Sequence, residues 1–301
     1  MARWPLALRP FAALAMAMLW PFGSLRSALK VAREAPYRPA GFWHLAWRAA
    51  LSKNIPPREF ADYQLFRKDI AQDWRYTRET VLLLGRTTPA DTADLISDKR
   101  RFAPWLAAEG VAVVPLLDDL PEGQPVVTKP QRGMQGRGVT AWHWTGENYR
   151  AEPGFGPAGR EELTAEALRA RVHDEILQPL IPPGLEVHAV ARLITGTGGA
   201  YDALIQTPKS GDFCTHRGPF RLVDLAEGLI LPPGPGQTGS IYGDGSGEMS
   251  LEGTCLPGWG GIVADLTALH ARMSAPPPLI GWDLIWGPKG PMVLEGNTGI
   301  G

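Results

Sequence analysis

The end of the chain constrains the fold most strongly, because two short apolar runs there flank a turn rich in glycine and proline. Residues 281–301 read GWDLIWGPKGPMVLEGNTGIG. Apolar runs on both sides of such a turn are typical of a β-hairpin. Proline suits the first position of the turn and glycine a left-handed position, so the sequence predicts a three-residue loop of Pro288, Lys289 and Gly290.

The length of this loop decides which side chains share a face of the hairpin. Because side chains alternate along a strand, a three-residue loop pairs Asp283 with Glu295 and Gly281 with Asn297. A two-residue loop would pair Asp283 with Leu294 and scatter the acids. With the three-residue loop, the opposite face is predicted to be core, and it carries Trp282, Leu284, Trp286, Met292 and Leu294.

The polar face of this hairpin has the composition of a magnesium site. Two carboxylates and an amide oxygen, from Asp283, Glu295 and Asn297, are hard oxygen ligands that suit magnesium bound together with phosphate. The alternative is a hairpin whose polar face simply meets solvent. The hairpin alone does not decide between these two interpretations.

Composition restricts the partners and the type of site. The 301 residues include 30 basic and 31 acidic side chains, so no global charge favours nucleic acid, and any phosphate affinity must come from local sites. The two cysteines, Cys214 and Cys255, lack the neighbours of a zinc or redox motif and are interpreted as reduced thiols of a cytoplasmic protein.

The start of the chain carries an apolar run, residues 11–22, between cationic residues. Twelve residues are too few for a membrane-spanning helix, which needs about twenty. No clear cleavage site supports a signal peptide. Residues 4–22 have two possible interpretations. They form either an interfacial helix at a membrane surface or a segment that simply packs in the core. Residues 1–86 as a whole are predicted to be mostly helical.

A second stretch, residues 125–144, reads PVVTKPQRGMQGRGVTAWHW. A strand that ends in Lys129 leads into a loop with Gly133, Gly136 and Gly138, and a second strand follows from Val139. A glycine-rich turn lets backbone N–H groups approach phosphate oxygens, and the lysine adds a charge. The absence of a GK[ST] motif excludes a Walker A loop, and the β pattern that follows the glycines, in place of a helix, excludes a Rossmann fingerprint. The alternative is a hairpin tip without a ligand.

The remaining elements supply single candidates. A helix is predicted to begin at Ser97 or Asp98, and another spans 261–273 with His270 on its exposed surface. His188 is interpreted as a histidine of a sheet. Arg192 stands alone on its strand, where an arginine forms a salt bridge more often than it takes part in catalysis.

Taken in order, these features resemble the ATP-grasp superfamily. The ordered set is Asp98-Lys99, Lys129 with its glycine loop, Glu175 to Gln178, Arg192, and Asp283 with Glu295 and Asn297. The phrases NIPPREFADY at 54–63 and IGWDLIWGPKGPMVLEGN at 280–297 look most like the sugar-transfer associated ATP-grasp family, which is related to alpha-L-glutamate ligases. The resemblance covers residues 54–301. It implies an α+β fold in which two α+β subdomains clamp a nucleotide.

The expected organisation is a helical region at 1–86, a helix-strand lead-in at 87–124, a small subdomain with the glycine loop at 125–180, and a large subdomain with the metal site at 181–301. This family usually has an Asn-Thr pair just before the arginine, where this chain has residues 188–191, HAVA. Relatives would also be expected to continue beyond the four residues that follow Asn297.

The resemblance also implies roles for individual residues. Lys99 and Lys129 would contact ATP phosphates, and the loop would cover them. Arg192, with Lys129, would be catalytic and would stabilise the transferred phosphoryl group or the acyl intermediate. The implied ATP-binding set is Lys99, Lys129, Gly133, Gly136, Gly138, Glu175, Ile176, Leu177 and Gln178, with Glu186 toward the ribose. The implied ligands of one or two Mg²⁺ or Mn²⁺ ions are Asp283, Glu295 and Asn297.

The expected function is that of an ATP- and Mg²⁺-dependent carboxylate–amine ligase that works through an acyl phosphate. Its substrates would be small molecules and not nucleic acid, in a cytoplasmic protein of cell-envelope or exopolysaccharide metabolism. Two alternatives stay open, which are an ATP-grasp kinase that phosphorylates a hydroxyl and a non-catalytic ATP-binding accessory protein.

Overall fold

A computed structural model describes residues 44–45, 48, 84, 86–132, 138–154, 161–172, 175–209, 212–215, 218–232 and 249–298. The chain divides into two compact units, Met1–Leu82 and Leu83–Gly301. Almost all described residues belong to the second unit. The predictions for the apolar run at 11–22 and for membrane contact through 4–22 lie outside the described residues. The division into four regions stays a prediction.

The second unit is built on two five-stranded antiparallel sheets with few helices, which confirms the predicted α+β class. The first sheet has the order β4-β3-β2-β1-β5. Its strands are β1 Val126–Pro130, β2 Thr140–Trp144, β3 Tyr149–Pro153, β4 Glu162–Leu163 and β5 Glu175–Pro179. The second sheet has the order β10-β9-β6-β7-β8. Its strands are β6 Val190–Gly196, β7 Gly199–Gln206, β8 Phe220–Leu222, β9 Leu279–Gly287 and β10 Gly290–Asn297.

Four helices with several turns of described backbone accompany the sheets. They are α1 Ala90–Ser97, α2 Lys99–Ala108, α3 Ala165–Arg171 and α4 Trp259–Arg272. Each sheet has its own hydrophobic core. Leu168 of α3 packs on the first sheet with Trp142 and Tyr149. The second core joins α1, α2 and α4 to the inner strand β9, whose tryptophans Trp282 and Trp286 are buried in it. Among the described residues, no helix is both long and apolar enough to cross a membrane.

The C-terminal hairpin has a shorter turn than the sequence predicts. Gly287 pairs with Gly290, so the loop has two residues, Pro288 and Lys289, and the predicted three-residue loop is wrong. The register then shifts between Val293 and Glu295. This shift is a β-bulge, in which one extra residue, Leu294, enters one strand.

The bulge restores the predicted pairing of the acids by another route. Beyond it, Glu295 pairs with Asp283 and Asn297 pairs with Gly281, as predicted. Between the turn and the bulge, β10 has its two faces exchanged relative to the prediction, whereas Leu284 and Trp286 of β9 lie in the core as predicted. Val293 is fully buried in the core, and Leu294, predicted to be core, lines a cleft instead.

The lead-in segment packs against this hairpin. The ring of Phe102 in α2 stacks on Trp282 with ring centroids 6.1 Å apart. A Cβ atom at Gly296 would lie 2.6 Å from Phe102 Cζ, so the helix sits directly on the backbone of β10. After α2, the lead-in segment forms one parallel bridge with the hairpin, Val113 to Val293. This packing fixes the first residues of α2 beside the end of β10.

Candidate functional site

A cleft lies between the two sheets of the second unit. Each sheet contributes to it, and so do the lead-in segment and a loop around Cys214. Its described lining is Lys99, Val114, Val127, Lys129, Pro130, Val139, Gln178, Pro179, Leu180, Ile181, His188, Val190, Phe213, Cys214, Thr215, Asp283, Ile285, Leu294 and Glu295. The cavity volume is about 120 Å³. Charged side chains gather at one part of this lining, and the rest is mostly apolar.

Glu295 is the meeting point of two lysines that come from different elements. Lys99 Nζ at the start of α2 lies 3.5 Å from Glu295 Oε2. Lys129 Nζ at the end of β1 lies 4.0 Å from the same oxygen. All three side chains are largely buried, with 10%, 6% and 19% of the Lys99, Lys129 and Glu295 side chains exposed. Strands from both sheets and a helix therefore place three charges within one small volume.

Burial and neighbouring charges act on this cluster in opposite directions. Burial, together with the charge of Lys99, lowers the pKa of Lys129 to about 8, although Glu295 opposes the shift. Burial would raise the pKa of Glu295, but Lys129, Lys99 and Arg192 together outweigh it and hold that pKa below its ordinary value. With Asp283 included, three cationic and two anionic side chains meet here. The excess of positive charge suits a phosphate group.

Arg192 and Asp283 form a two-pronged ion pair beside this cluster. The two residues are paired across β6 and β9. Arg192 Nε donates to Asp283 Oδ1 at 2.8 Å, and Arg192 Nη2 donates to Oδ2 at 2.9 Å. The Asn297 amide also donates to Asp283 Oδ2 at 3.3 Å. Asp283 is only 4% exposed. Arg192 thus forms a salt bridge, which is the more common role of an arginine on such a strand.

The predicted magnesium ligands provide only part of a magnesium coordination shell. Among the described residues, no group of three or more His, Cys, Asp and Glu side chains is arranged to hold a metal ion. The hairpin supplies two carboxylates in one cross-strand pair, with Asn297 hydrogen-bonded to one of them. Magnesium commonly uses one or two carboxylates and completes its shell with waters and substrate phosphates. The oxygen set of Asp283, Glu295 and Asn297 is compatible with that mode.

Other predicted residues lie in different places. Gln178 lines the cleft, and its side-chain amide donates to Val114 O at 3.3 Å. Glu175, Ile176 and Leu177 are not in the cleft lining. The carbonyl of Glu175 accepts from Arg100, Ile176 pairs with Lys129 in the ladder, and Leu177 belongs to the first core.

Neither Glu186 nor Gly138, the described glycine of the loop, is in the cleft lining. Glu186 is exposed, precedes β6 and does not line the cleft. Gly133 and Gly136 lie outside the described residues. Gly138 has a φ of +74°, and a Cβ atom there would lie 2.9 Å from Pro130 Cγ. Glycine at 138 therefore allows the chain to return closely past the end of β1.

Sequence reasoning missed the apolar part of the cleft. Pro179 ends β5, Leu180 and Ile181 follow it directly, and all three line the cleft. Ile285 and Leu294 line it from the hairpin. The missed signal for the first three residues is that an apolar run continues past Gln178. Leu294 was missed because a bulge has no local sequence signature.

A histidine in the lining differs from the prediction, and a cysteine of the lining is the free thiol that was predicted. His188 precedes β6 and is not a sheet residue, and its ring stacks on Phe213 with centroids 5.3 Å apart. Burial lowers the pKa of His188, while Glu152 acts in the opposite direction. Burial, with Glu295 as the next contribution, raises the pKa of Cys214 to about 11. Cys214 is therefore a protonated thiol and a weak nucleophile at neutral pH.

Comparisons with known proteins give weak likenesses. No protein-family model matches the chain, and no curated protein matches it. The structure of D-cycloserine synthetase DcsG is 17% identical, with 82% of this chain and 75% of that chain covered and a TM-score of 0.45. D-alanine--D-alanine ligase from Bacillus anthracis in complex with ATP is 13% identical over 68% of this chain and 55% of that chain, with a TM-score of 0.37.

A third similar structure is a RimK domain protein ATP-grasp from Sphaerobacter thermophilus. It is 14% identical over 74% of this chain and 70% of that chain, with a TM-score of 0.38. These likenesses are low in identity and in TM-score alike.

Proposed function

We propose that this protein is an ATP- and Mg²⁺-dependent carboxylate–amine ligase with an ATP-grasp fold. One observation carries the proposal. Lys99 and Lys129, from different elements, converge on Glu295 at the charged part of a cleft whose remaining wall is apolar. Such a cleft suits a ligand with a flat apolar ring at one end and several negative charges at the other, as in a nucleoside triphosphate.

The roles of individual residues follow from this arrangement. Lys99 and Lys129 hold phosphate oxygens, and burial without bulk water strengthens their attraction to the transferred group. Gln178 and the apolar residues after β5 contact the base. Arg192 stabilises charge on the transferred phosphoryl group after it exchanges Asp283 for the substrate. Asp283, Glu295 and Asn297 would hold magnesium, which would neutralise the negative charge on phosphate oxygens.

The reaction needs no side-chain nucleophile. An oxygen of the substrate carboxylate forms a bond to the γ-phosphorus, the bond from that phosphorus to the bridging oxygen breaks, and ADP leaves. The amine nitrogen then attacks the acyl carbon, the carbon–oxygen bond to phosphate breaks, and the nitrogen loses a proton to solvent. Residues of the cleft contribute position and electrostatic stabilisation. The protonated Cys214 is consistent with such chemistry.

A non-catalytic ATP-binding protein is the second candidate. The observation in its favour is that Arg192 engages both carboxylate oxygens of Asp283. If that ion pair persists when nucleotide is bound, Asp283 does not reach a metal and turnover does not occur. A kinase that phosphorylates a hydroxyl shares the same cleft and is separated from the ligase by its products.

The finer parts of the proposal are a place among sugar-transfer associated ATP-grasp proteins, a role in cell-envelope or exopolysaccharide metabolism, and a cytoplasmic location, where ATP is available. The phrases at 54–63 and 280–297 support the family placement.

The test is an assay of ADP formation with Mg²⁺ and a panel of carboxylates paired with amino acids, amino sugars and polyols. An amide with ADP and phosphate supports the ligase. A phosphorylated alcohol supports the kinase, and nucleotide binding without turnover supports the accessory protein. Lys129→Met is expected to remove nucleotide binding, whereas Lys289→Met, at an exposed lysine of the hairpin turn, is expected to leave it unchanged. Equal binding by the two variants would contradict the assignment of the cleft.

A further inference from the structure

A hydrogen-bonded link joins the segments that carry the two lysines. Gln131 Nε2 lies 2.9 Å from each carboxylate oxygen of Asp98. The backbone N–H of Lys99 also donates to Gln131 O at 3.4 Å. Asp98 directly precedes Lys99, and Gln131 stands two residues after Lys129. The link therefore acts at the base of both lysines.

Capping of a helix does not by itself account for this arrangement. Asp98 is the N-cap of α2, and its Oδ1 accepts from the backbone N–H of Arg100 at 3.0 Å. One oxygen is sufficient for that role. The carboxylate nevertheless directs both oxygens at the Gln131 amide, and Arg132 Nη2 lies 3.6 Å from Oδ2. Asp98 is only 6% exposed, so its carboxylate is largely shielded from water, whereas Arg132 is exposed.

The two lysines belong to parts of the unit that are anchored separately. The helix that begins at Lys99 packs on the second sheet through Phe102, Gly296 and Trp282. Lys129 ends a strand of the first sheet. Their ammonium groups meet at one oxygen of Glu295. Like charges repel, so a restraint at the backbone adds to the attraction of the shared carboxylate in keeping the two ammonium groups together.

We propose that Asp98 and Gln131 are positioning residues that fix the separation of Lys99 and Lys129, so that the two ammonium groups grip one polyphosphate. This inference rests on the proposed function and deepens it. Neither residue touches the nucleotide. The pair acts through the backbone of the two lysines, and its loss is expected to weaken recognition of the phosphates and not recognition of the nucleoside.

The test compares three variants of the full chain with wild type. Gln131→Met removes the amide without adding charge, and Gln131→Glu places a second carboxylate against Asp98. The double variant Asp98→Asn with Gln131→Glu exchanges the two groups, which restores an amide–carboxylate hydrogen bond and the original net charge. Asparagine also caps a helix as well as aspartate does. Thermal unfolding midpoints establish that each variant is folded.

The readouts are the dissociation constants of adenosine and of adenylyl imidodiphosphate, a non-hydrolysable ATP analogue, by titration calorimetry with Mg²⁺. We expect Gln131→Met and Gln131→Glu to weaken binding of the analogue about tenfold or more, with adenosine changed less than about twofold; a tenfold change corresponds to about 1.4 kcal/mol. The exchanged double variant should recover most of the affinity for the analogue.

Unchanged affinity for the analogue in both single variants would overturn the positioning role. Equal losses for adenosine and the analogue would overturn it as well, because general loss of structure affects both ligands. So would a double variant no better than Gln131→Glu alone. A wild-type protein that binds neither ligand contradicts the proposed function itself, which separates the two failures.

Discussion

At the scale of single residues, Glu295 links the buried charges of the cleft. It is the carboxylate that two buried lysines share. Removing it takes away the carboxylate that lies between two like charges, and it also removes a proposed magnesium ligand. Glu295 therefore has two roles, since it balances the charge of the two lysines and is a proposed magnesium ligand.

We predict that Glu295→Gln lowers ATP turnover by about 10²–10³-fold, because the loss of one preorganised group at a reacting phosphate costs about 3–4 kcal/mol of barrier. Steady-state ADP formation measures this. Glu166→Gln, at an exposed position of α3, is the control and should leave the rate unchanged. Turnover by Glu295→Gln close to that of wild type would contradict the role of Glu295.

His270 is a second residue with a defined environment, and it corrects the prediction of an exposed position. It is fully buried. Its Nε2 lies 2.9 Å from Pro277 O and must donate, since a carbonyl only accepts. Nδ1 therefore accepts from the hydroxyl of Thr195 at 2.8 Å, and this hydroxyl accepts from Trp282 Nε1 at 2.7 Å. The neutral ring completes the chain of hydrogen bonds between α4, β6 and β9.

The network predicts a pH dependence of stability. Burial lowers the pKa of His270, although its hydrogen bond to Pro277 opposes the shift. The unfolded chain therefore binds this proton more readily than the folded chain. Stability should be complete above the unfolded pKa of about 6.5 and should decrease as the pH falls from there toward the folded pKa, with a slope of at most about 1.4 kcal/mol per pH unit.

Urea unfolding from pH 8 to pH 5 measures this dependence. His270→Gln should be less stable than wild type at pH 8 and should show a smaller loss on acidification. The control is His143→Gln, at an exposed histidine, which should keep the wild-type slope. An identical pH slope in wild type and His270→Gln would show that another group is responsible.

At the scale of elements, the contact of α2 with β10 positions Lys99. A Cβ atom at Gly296 would lie 2.6 Å from Phe102 Cζ and 3.1 Å from Ile96 Cγ2. Both neighbours belong to the core that joins the helices to the second sheet. A side chain at 296 must therefore displace the side chains of Phe102 and Ile96, which anchor α2 and α1 on the strand, and we expect Lys99 at the start of α2 to shift as a result.

We predict that Gly296→Ala lowers the free energy of unfolding by about 1–3 kcal/mol, as overpacking of a core does. It should also weaken ATP binding. Gly261→Ala is the matched control, because Gly261 lies in α4 with no atom within 4 Å of an added Cβ. That change should raise stability by about 0.5–1 kcal/mol. Denaturant unfolding measures both variants, and a neutral Gly296→Ala would refute the close packing.

Parts of these elements were predictable from the sequence, and the reasons differ. Residue spacing with a three-residue loop predicted that Asp283 lies opposite Glu295. The pairing is correct, but the loop length is wrong, because a two-residue turn and a bulge that depends on tertiary packing produce the same pairing. The position of His270 was predictable in principle, since Ile262, Leu266, Leu269 and His270 share one helical face. The Arg192–Asp283 pair joins residues 91 positions apart. No local sequence pattern specifies that β6 pairs with β9, or in which register.

At the scale of the whole molecule, the proposed site depends on groups from both sheets and from the lead-in helix. The described residues of the site all belong to the unit Leu83–Gly301. The sequence predicted the α+β class. The order of the lysines and acids along the chain also led to their prediction as site residues. The sequence did not predict the apolar lining from 213–215, because that segment has no periodicity that marks it as buried.

Ligand binding should therefore stabilise the second unit as a whole. At a nucleotide concentration 100 times the dissociation constant, binding adds about 2.7 kcal/mol to the free energy of unfolding. We predict that ATP with Mg²⁺ raises the thermal midpoint and that EDTA removes most of this increase. Lys99→Met should abolish the increase, as measured by scanning calorimetry. An equal increase in that variant would place nucleotide binding elsewhere.

The bulge at Leu294 has a consequence for insertions and deletions in this hairpin. The ladder from Gly287–Gly290 to Leu284–Val293 is continuous, and one surplus residue separates it from the pair Asp283–Glu295. A chain that lacks residue 294 would join the two parts of the ladder directly and keep the acids opposite each other. A chain that lacks residue 296 would instead move Asn297 out of register with Gly281. The spacing between the two acids can therefore shorten by one residue without loss of their pairing, whereas the spacing after the second acid cannot.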